Sequence, residues 1–200
     1  MKKTLVVLLS IGVIGMSPLA RSADDARPPQ KLPFSVYSDT GDHFIPAGWM
    51  GDTSDLAINA SYKTNPAQGA SCIQIKYSGK ATQGQKWAGI YWQDPANNWG
   101  TVKGAGYNLT GAKRISFKAR GEKGGEQVEF KAGGISGEFP DTFKAEAPIA
   151  TLTQEWKEYE VDLAGQDLTR VIGGFCFAIA KDKNPDGAVF YIDDIKYVGN

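Results

Sequence analysis

The chain has 200 residues, of which 42% are hydrophobic, and its 22 Lys and Arg residues balance its 22 Asp and Glu residues. A chain of this length can bury the core of one stable domain. Because the charges balance and the sequence has no basic block, it lacks the attraction for phosphate groups on which nucleic-acid binding depends. We therefore expect no nucleic-acid partner.

The first 23 residues have the pattern of a secretory signal peptide. Two lysines precede an apolar run from about Leu5 to Met16, and small residues follow up to Ala23. This run is shorter than the roughly 20 residues that a membrane-spanning helix needs, and no later run approaches that length. We predict cleavage after Ala20 or Ala23, no insertion into a membrane, and a secreted or periplasmic protein.

This interpretation divides the chain into three segments. Residues 1–23 form the signal peptide, residues 24–31 form a flexible leader with two prolines, and residues 32–200 form a single domain. The mature chain would keep 19 basic and all 22 acidic residues, which gives a net charge near −3. No repeat or low-complexity tract indicates a second domain.

The rest of the chain consists of short apolar or alternating runs separated by Gly, Asn, Asp and Pro, a pattern typical of β-strands. Three runs alternate cleanly, which predicts strands with one solvated face. The two runs nearest the C-terminus are apolar on both faces, as central strands are. We therefore predict an all-β fold, a two-sheet antiparallel β-sandwich of the jelly-roll type. The predicted strands are Ser71–Tyr77, Trp87–Gln93, Arg114–Ala119, Gln127–Lys131, Glu158–Leu163, Gly174–Ala180 and Val189–Val198.

The chain contains two cysteines, Cys72 and Cys176, and both lie inside predicted strands. An oxidising compartment permits a disulfide between them, but two buried free thiols fit the sequence equally well. A zinc site built from both cysteines and His43, the only histidine, would lack a fourth ligand and the usual spacing. The sequence leaves the first two alternatives open and argues against zinc.

The stretch WAGIYWQDPANNW, residues 87–99, holds three of the five tryptophans of the chain. Successive side chains of a strand point to opposite faces, so Trp87 and Trp92, an odd number of positions apart, cannot both face the core. Either Trp92 is buried while Trp87 and Tyr91 face outward, or the reverse holds. Trp99 follows a turn signal and belongs to a loop. At least one aromatic ring is therefore predicted to face solvent.

Four segments, in their order along the chain, resemble the galactose-binding-like jelly rolls, a group that includes many carbohydrate-binding modules of secreted bacterial cellulases and xylanases. The resemblance covers roughly Ala70 to Val198 and implies a jelly-roll fold and a carbohydrate ligand. Two other segments, Ile45–Asp52 and Trp87–Gly100, depart from the cellulose- and xylan-binding families at the loops that choose the ligand. The four segments are LTGAKRISFKARG at 109–121, QVEFK at 127–131, EWKEYEVDL at 155–163 and FYIDDI at 190–195.

Aromatic rings that face solvent can stack on the flat C–H faces of sugars. Short amide and carboxylate groups beside them can hydrogen-bond sugar hydroxyls, although the same residue types also form turns without any ligand. We therefore predict that the protein binds a polysaccharide or oligosaccharide. Trp156, at the start of a predicted strand, is assigned to packing instead. The candidate ligand-binding residues are Trp49, Trp87, Tyr91, Trp92, Asp94, Asn97, Asn98 and Trp99.

The resemblance also implies a metal site. In these jelly rolls an acid of the closing strand often helps to hold a structural calcium, together with an acid and carbonyl oxygens of the N-terminal segment. For this chain it implies Asp193 or Asp194, with Asp39, Asp42 or Asp52 as the upstream ligand. Oxygen ligands suit calcium. A salt bridge from these acids to a neighbouring Lys or Arg is the alternative.

Two other classes of function remain open. A small glycoside hydrolase or polysaccharide lyase on the same sandwich would need carboxylates that flank one cleft, and Glu129, Glu138 and Asp141 are the candidates. An adhesive exported protein would use its exposed rings to contact another protein. The sequence has no Gly-x-Ser-x-Gly motif and no phosphate-binding loop. We expect a monomer that binds its ligand without cleaving it.

Overall fold

The structure is a computed structural model that describes residues 27–39 and 41–199, so the predicted signal peptide lies outside the described residues. Within them the chain forms twelve β-strands and one short 3₁₀ turn, Thr53–Asp55, and the predicted all-β class is confirmed. The strands are β1 (Phe34–Tyr37), β2 (Ile45–Gly51), β3 (Leu56–Tyr62), β4 (Cys72–Tyr77), β5 (Trp87–Gln93), β6 (Arg114–Gly121), β7 (Gln127–Gly133), β8 (Lys144–Glu146), β9 (Ala150–Thr151), β10 (Lys157–Asp162), β11 (Gly173–Ala180) and β12 (Ala188–Val198).

The strands form two antiparallel sheets of six strands each. The first sheet has the order β10-β6-β12-β4-β3, with β1 paired to β12. The second sheet has the order β2-β5-β11-β7-β8, with β9 paired to β7. Because each sheet has one face against the other and one face outward, alternate residues of every central strand point into a shared core. The predicted two-sheet sandwich is therefore confirmed.

The sequence prediction missed five strands: β1, β2, β3, β8 and β9. Strands β2 and β3 are edge strands, and most of their side chains are exposed or half-buried, so they lack the continuous apolar pattern of a central strand. Strands β8 and β9 have only three and two residues. The seven predicted strands include the central strands β5, β11, β12 and β6, which set the topology.

Aromatic rings dominate the core between the sheets. Phe117 of the first sheet and Phe130 of the second have ring centroids 4.6 Å apart, and Trp92 lies 5.6 Å from Phe175 in an edge-on arrangement. Trp92 is 1% exposed, and Ile90 on the same strand is fully buried. Strand β5 therefore adopts the first of the two predicted orientations, with Trp92 inward and Trp87 and Tyr91 on the outer face.

The two cysteines are free and buried on opposite sides of the sandwich. Cys72 alternates with Ile73 and Ile75, which belong to the core, so its side chain faces away from the core on the first sheet. Cys176 belongs to a separate small cluster on the outer face of the second sheet. Stacked sheets lie about 10 Å apart, which is too far for the geometry of a disulfide. The structure thus selects the two buried thiols.

Residues 27–31, the end of the predicted leader, run beside the segment at Asn108. The backbone N–H of Gln30 donates to the carbonyl of Asn108 at 2.8 Å, and Asn108 Nδ2 donates to the carbonyl of Arg27 at 2.6 Å. These bonds attach the leader to the domain. In the part of the chain that the structure describes, no helix has the length and apolar character needed to cross a membrane.

A thiol-specific reagent tests whether Cys72 and Cys176 are free thiols. Burial raises the pKa of the Cys72 thiol to about 11 and also raises that of Cys176, so both stay protonated and shielded at neutral pH. We expect no reaction of the native protein with a water-soluble disulfide reagent, and two reactive thiols after unfolding in guanidinium without a reductant. An unfolded protein with no reactive thiol would show a disulfide and contradict this arrangement.

Candidate functional site

The outer face of the second sheet carries the side chains that β5 turns away from the core. Two neighbouring rows of residues cross strands β2, β5, β11 and β7 on this face, and Ala105, Ile135 and Ile172 pack against Tyr91 and Cys176 of these rows. We call these two rows the platform. The first row is Met50, Gly89, Ala178 and Glu129, and the second row is Gly48, Tyr91, Cys176 and Lys131.

Tyr91 is the aromatic residue of the platform. Its hydroxyl donates to the carbonyl of Gly133 at 2.9 Å, and Gly133 is the last residue of β7. Because β11 lies between β5 and β7, the Tyr91 ring extends across β11 beside Cys176. Burial raises the pKa of the Tyr91 phenol, which therefore remains a hydrogen-bond donor over the physiological pH range. The ring is held at both ends and has little freedom to move.

Trp99 lies at the rim of the platform, on the loop that follows β5. Its ring stands edge-on to Tyr91, with centroids 6.0 Å apart, and 40% of the residue is exposed. This is a geometry that aromatic pairs favour, so the contact fixes the orientation of the indole while leaving much of its surface in solvent. The sequence prediction that Trp99 belongs to a loop and is exposed is confirmed.

The backbone around Trp99 is fixed by the buried side chain of Asn98. Asn98 Oδ1 accepts the N–H groups of Gly100 and Thr101 at 3.0 and 3.2 Å, and its Nδ2 donates to the carbonyl of Asp94 at 2.9 Å. Gln93 Nε2 donates to the Asn98 carbonyl at 3.0 Å. Side-chain bonds of this kind replace the backbone partners that a loop lacks. Asn98, predicted to bind ligand, instead organises the loop that carries Trp99.

A second loop, which follows β7, packs against the Trp99 loop. The N–H of Phe139 donates to the carbonyl of Gly100 at 2.8 Å. Gly100 has a φ of 79°, and a Cβ on it would lie 2.2 Å from the carbonyl oxygen of Ser136. Only glycine permits both this conformation and this approach. The two loops therefore meet through their backbones and form one rim beside the platform.

Asp141 anchors the second loop. Its Oδ2 accepts the N–H of Ile135 at 2.9 Å, and its Oδ1 accepts those of Ile172 and Gly173 at 2.7 and 3.2 Å. Burial raises the pKa of this carboxyl to about 6, against the lowering effect of the three N–H donors. Both oxygens are engaged by the backbone, so the side chain holds the loop to the start of β11.

Charged groups border the other side of the platform. Glu129 Oε2 lies 3.5 Å from Lys131 Nζ, and Lys144 Nζ lies 2.9 Å from Glu146 Oε1 on the adjacent strand β8. The hydrogen bond from Lys144 lowers the pKa of Glu146, and attraction to Lys131 adds to this effect. These side chains offer both hydrogen-bond donors and acceptors beside the apolar rings.

The remaining predicted ligand-binding residues fall into three groups: those beside the platform, those engaged inside the fold, and one at the edge of the sandwich. Trp87 is half-buried on the outer face near Tyr91, and Asn97 is exposed on the Trp99 loop. Trp92 lies in the core and has no surface to offer a ligand, and Asp94 Oδ2 accepts the N–H of Gly106. Trp49 is paired with Ile90, a core-facing residue, so its exposed ring lies at the open edge of the sandwich and apart from the platform.

Sequence reasoning did not find Met50, Gly89 or Ala178, because small and flexible apolar residues carry no chemical signal of a site. Lys131 was also missed. The clean alternation of β7 already placed Lys131 beside Glu129 on the outer face, and this was the signal that could have found it.

The three acids considered for catalysis do not form an evident pair in a cleft. Glu129 lies on the platform in contact with Lys131, and Glu138 is exposed on the loop after β7. Asp141 is occupied by three N–H groups. His43 stacks on Phe34 with ring centroids 3.9 Å apart. No observation here favours the hydrolase or lyase interpretation.

The five acids that the resemblance implied for calcium are distributed over several local structures. Asp193 Oδ2 accepts the N–H groups of Ala67 and Gln68, and Asp39 accepts those of Ala70 and the hydroxyl of Ser71. Both carboxylates thus hold the loop between β3 and β4.

The other three acids have partners elsewhere. Asp194 pairs with Lys196 at 2.7 Å, Asp42 accepts the N–H of Ser38, and Asp52 accepts three N–H groups of residues 83–86. Among residues 27–39 and 41–199, no three His, Cys, Asp or Glu side chains are grouped to hold a metal ion. Calcium stays a prediction.

Solved carbohydrate-binding modules share this fold. A crystal structure of a family 30 carbohydrate-binding module has a TM-score of 0.56 and 14% identity over 85% of this chain and 100% of that chain. The family 11 module of the cellulosomal cellulase Lic26A-Cel5E of Clostridium thermocellum has a TM-score of 0.52 and 14% identity over 88% and 96%. No protein-family model matches the sequence, and no curated protein is significantly similar to it. The fold is therefore a jelly roll like that of carbohydrate-binding modules.

The Asp141 anchor predicts a pH dependence of stability. The folded carboxyl titrates near 6 and the unfolded one near 3.8, so the folded state holds the proton more tightly. The free energy of unfolding should therefore fall as the pH rises from about 4 to about 6, by about 2 kcal/mol relative to Asp141→Asn, which does not ionise. Urea unfolding of both proteins from pH 4 to pH 7 measures the difference. Parallel stability curves would contradict the assignment.

The calcium prediction has a direct test. A structural calcium would stabilise the folded state by mass action, so millimolar calcium chloride should raise the unfolding temperature above that in EDTA. Asp193→Asn should abolish this rise, whereas Asp182→Asn, at an exposed acid that is not a candidate ligand, should keep it. Equal unfolding temperatures in calcium and in EDTA would contradict a calcium site.

Proposed function

We propose that the protein is an exported, non-catalytic carbohydrate-binding protein that holds a polysaccharide or oligosaccharide against the platform. The observation that carries this proposal is the exposed indole of Trp99, fixed edge-on against Tyr91 at the rim of the platform. The shared fold of the solved family 11 and family 30 carbohydrate-binding modules supports the same ligand class.

Binding would begin with stacking. The apolar C–H face of a sugar ring contacts the indole of Trp99, and the next part of the ligand lies over Glu129 and Lys131, which are exposed and half-buried on the β7 side of the platform. Because Asn98 and Tyr91 already fix the indole, little side-chain entropy is lost when the sugar binds. Rigidity therefore favours affinity even where the contact area is small.

Polar groups would then orient the sugar. Glu129 and Glu146 offer carboxylate oxygens that accept hydrogen bonds from hydroxyls, and Lys131 donates. Asn97, exposed beside Trp99, contributes an amide that does both. A ligand without matching hydroxyls would leave these groups unpaired, which is the usual source of selectivity in polar sites. Because carboxylate and ammonium groups alternate along this side of the platform, a neutral sugar fits it better than a charged one.

Export rests on the predicted signal peptide of residues 1–23. After expression of the full chain in a bacterial host, we expect the protein in the periplasm or medium with an N-terminus at Arg21 or Asp24, as N-terminal sequencing would show. A cytoplasmic protein that retains residues 1–20 would contradict export.

The binding face is tested by comparing two exposed tryptophans. Trp99→Ala should weaken binding at least about tenfold, which corresponds to about 1.4 kcal/mol of lost contact. Trp49→Ala is the matched control, since Trp49 is similarly exposed but lies at the sandwich edge. Affinity electrophoresis in barley β-glucan, xylan, galactan and mannan identifies a ligand, and calorimetry with its oligosaccharide gives the affinities.

The expected result is a loss of affinity in Trp99→Ala with affinity retained in Trp49→Ala. Equal affinities of the wild type and Trp99→Ala would remove the platform from the proposal. Release of reducing sugar from the bound polysaccharide would contradict the non-catalytic role.

A further inference from the structure

The loop that carries Trp99, residues 94–106, is closed at its base by Asp94. The N–H of Gly106 donates to Asp94 Oδ2 at 2.9 Å, so the last residue of the loop is bonded to the first. Asn98, which organises the backbone around Trp99, donates from its amide to the carbonyl of Asp94 at 2.9 Å. The position of Gly106 is therefore linked through Asp94 to that of Trp99.

Gly106 also lies tightly against the chain just before β11. Its φ is 89°, and a Cβ on it would lie 2.7 Å from Ile172 Cγ2 and 2.9 Å from the carbonyl oxygen of Val171. Only glycine combines this conformation with this approach. The preceding residue, Ala105, belongs to the small apolar cluster that contains Tyr91. A displacement of Gly106 would therefore be transmitted to the cluster beside the exposed indole.

The leader supplies a further contact of Gly106. Arg27 Nη1 donates to the carbonyl of Gly106, and among the described residues no other group donates to this carbonyl. The backbone of Arg27 is itself held, because its carbonyl accepts from Asn108 Nδ2 at 2.6 Å. A hydrogen bond from a charged donor is about twice as strong as one between neutral groups. The guanidinium thus fixes the end of the loop from outside the two sheets.

Opposite charges hold the two sides of Gly106. The carboxylate of Asp94 accepts its N–H, and the guanidinium of Arg27 donates to its carbonyl. Burial raises the pKa of the neighbouring Tyr107 phenol, Asp94 adds to this rise, and Arg27 opposes it. Both charges therefore act on the same short segment. Loss of either charge would leave one backbone group of Gly106 without its partner, which favours local opening of the loop.

We propose that Arg27 is a positioning residue for carbohydrate binding, which holds Gly106 in place and thereby keeps the Trp99 indole in the orientation that stacks on a sugar. Arg27 acts through the loop and does not contact the ligand. This inference rests on the proposed function. The cleavage sites predicted after Ala20 and Ala23 both leave Arg27 in the mature chain. The leader thus contributes to the binding site without touching the sugar.

Amide hydrogen exchange, followed by NMR on the purified protein, tests the Arg27 anchor without any ligand. In Arg27→Ala, the amides of Gly100, Thr101 and Gly106 should exchange faster by about fivefold or more, because the loop opens more often. Amides of residues 122–126, at the other end of β7, should exchange as in the wild type, which excludes a global loss of stability. Arg27→Lys keeps a charged donor and should restore most of the protection.

Binding is measured with the polysaccharide that affinity electrophoresis identifies. Arg27→Ala should weaken binding by about threefold. In a Trp99→Ala background the same change should cause no further loss, because Arg27 acts only through that indole. Lys31→Ala is the matched control, since Lys31 is an exposed cation of the same leader, and it should exchange and bind as the wild type does.

Unchanged exchange of the Gly106 amide in Arg27→Ala would overturn the proposal, whether or not a polysaccharide binds. The proposal is also overturned if Arg27→Ala leaves the affinity of the wild type unchanged, or weakens binding equally in the wild-type and Trp99→Ala backgrounds. Faster exchange in a protein that binds no polysaccharide would support the Arg27 anchor and contradict the proposed function, so the two failures are told apart.

Discussion

The packing of strand β5 is the constraint on which the rest of this structure depends. Trp92 and Ile90 are buried against the aromatic core, so the pleat turns Tyr91 and Trp87 to the outside of the same strand. A shift of one residue would expose the largest core side chain, which makes the register of β5 strongly determined. The platform is thus a direct consequence of how the core is filled.

Hydrogen bonds from side chains to the backbone then convert an exposed indole into a fixed surface. Asn98 replaces missing backbone partners within its loop, and Asp141 does the same for the neighbouring loop. Each loop would be mobile alone, because it lies outside the two sheets. Their contact through Gly100 makes them one rigid body. At the other end of β7, Asn184 connects the turn before β12 to Gln127, the first residue of β7, in a comparable way.

Much of the fold was predictable from the sequence, because alternation and turn residues are local signals. The parity of Trp87 and Trp92 required one of them to face outward, and the loop position of Trp99 indicated its exposure. The pairing of Trp49 with Ile90 was not predictable, since β2 is an edge strand without a regular apolar pattern. The role of Asn98 was also hidden, because the same turn residues bind either hydroxyls or their own backbone. Contacts between loops distant in sequence carry no local signal.

The backbone contact at Gly100 limits how this protein can change over evolutionary time. Any side chain at that position would push the two loops apart and tilt the indole away from Tyr91. Variation is therefore confined to side chains that project from the loop tips, such as Glu138, which takes no part in the joint. Substitutions at these loop tips can therefore change which ligand is bound, while the backbone contact between the two loops stays the same.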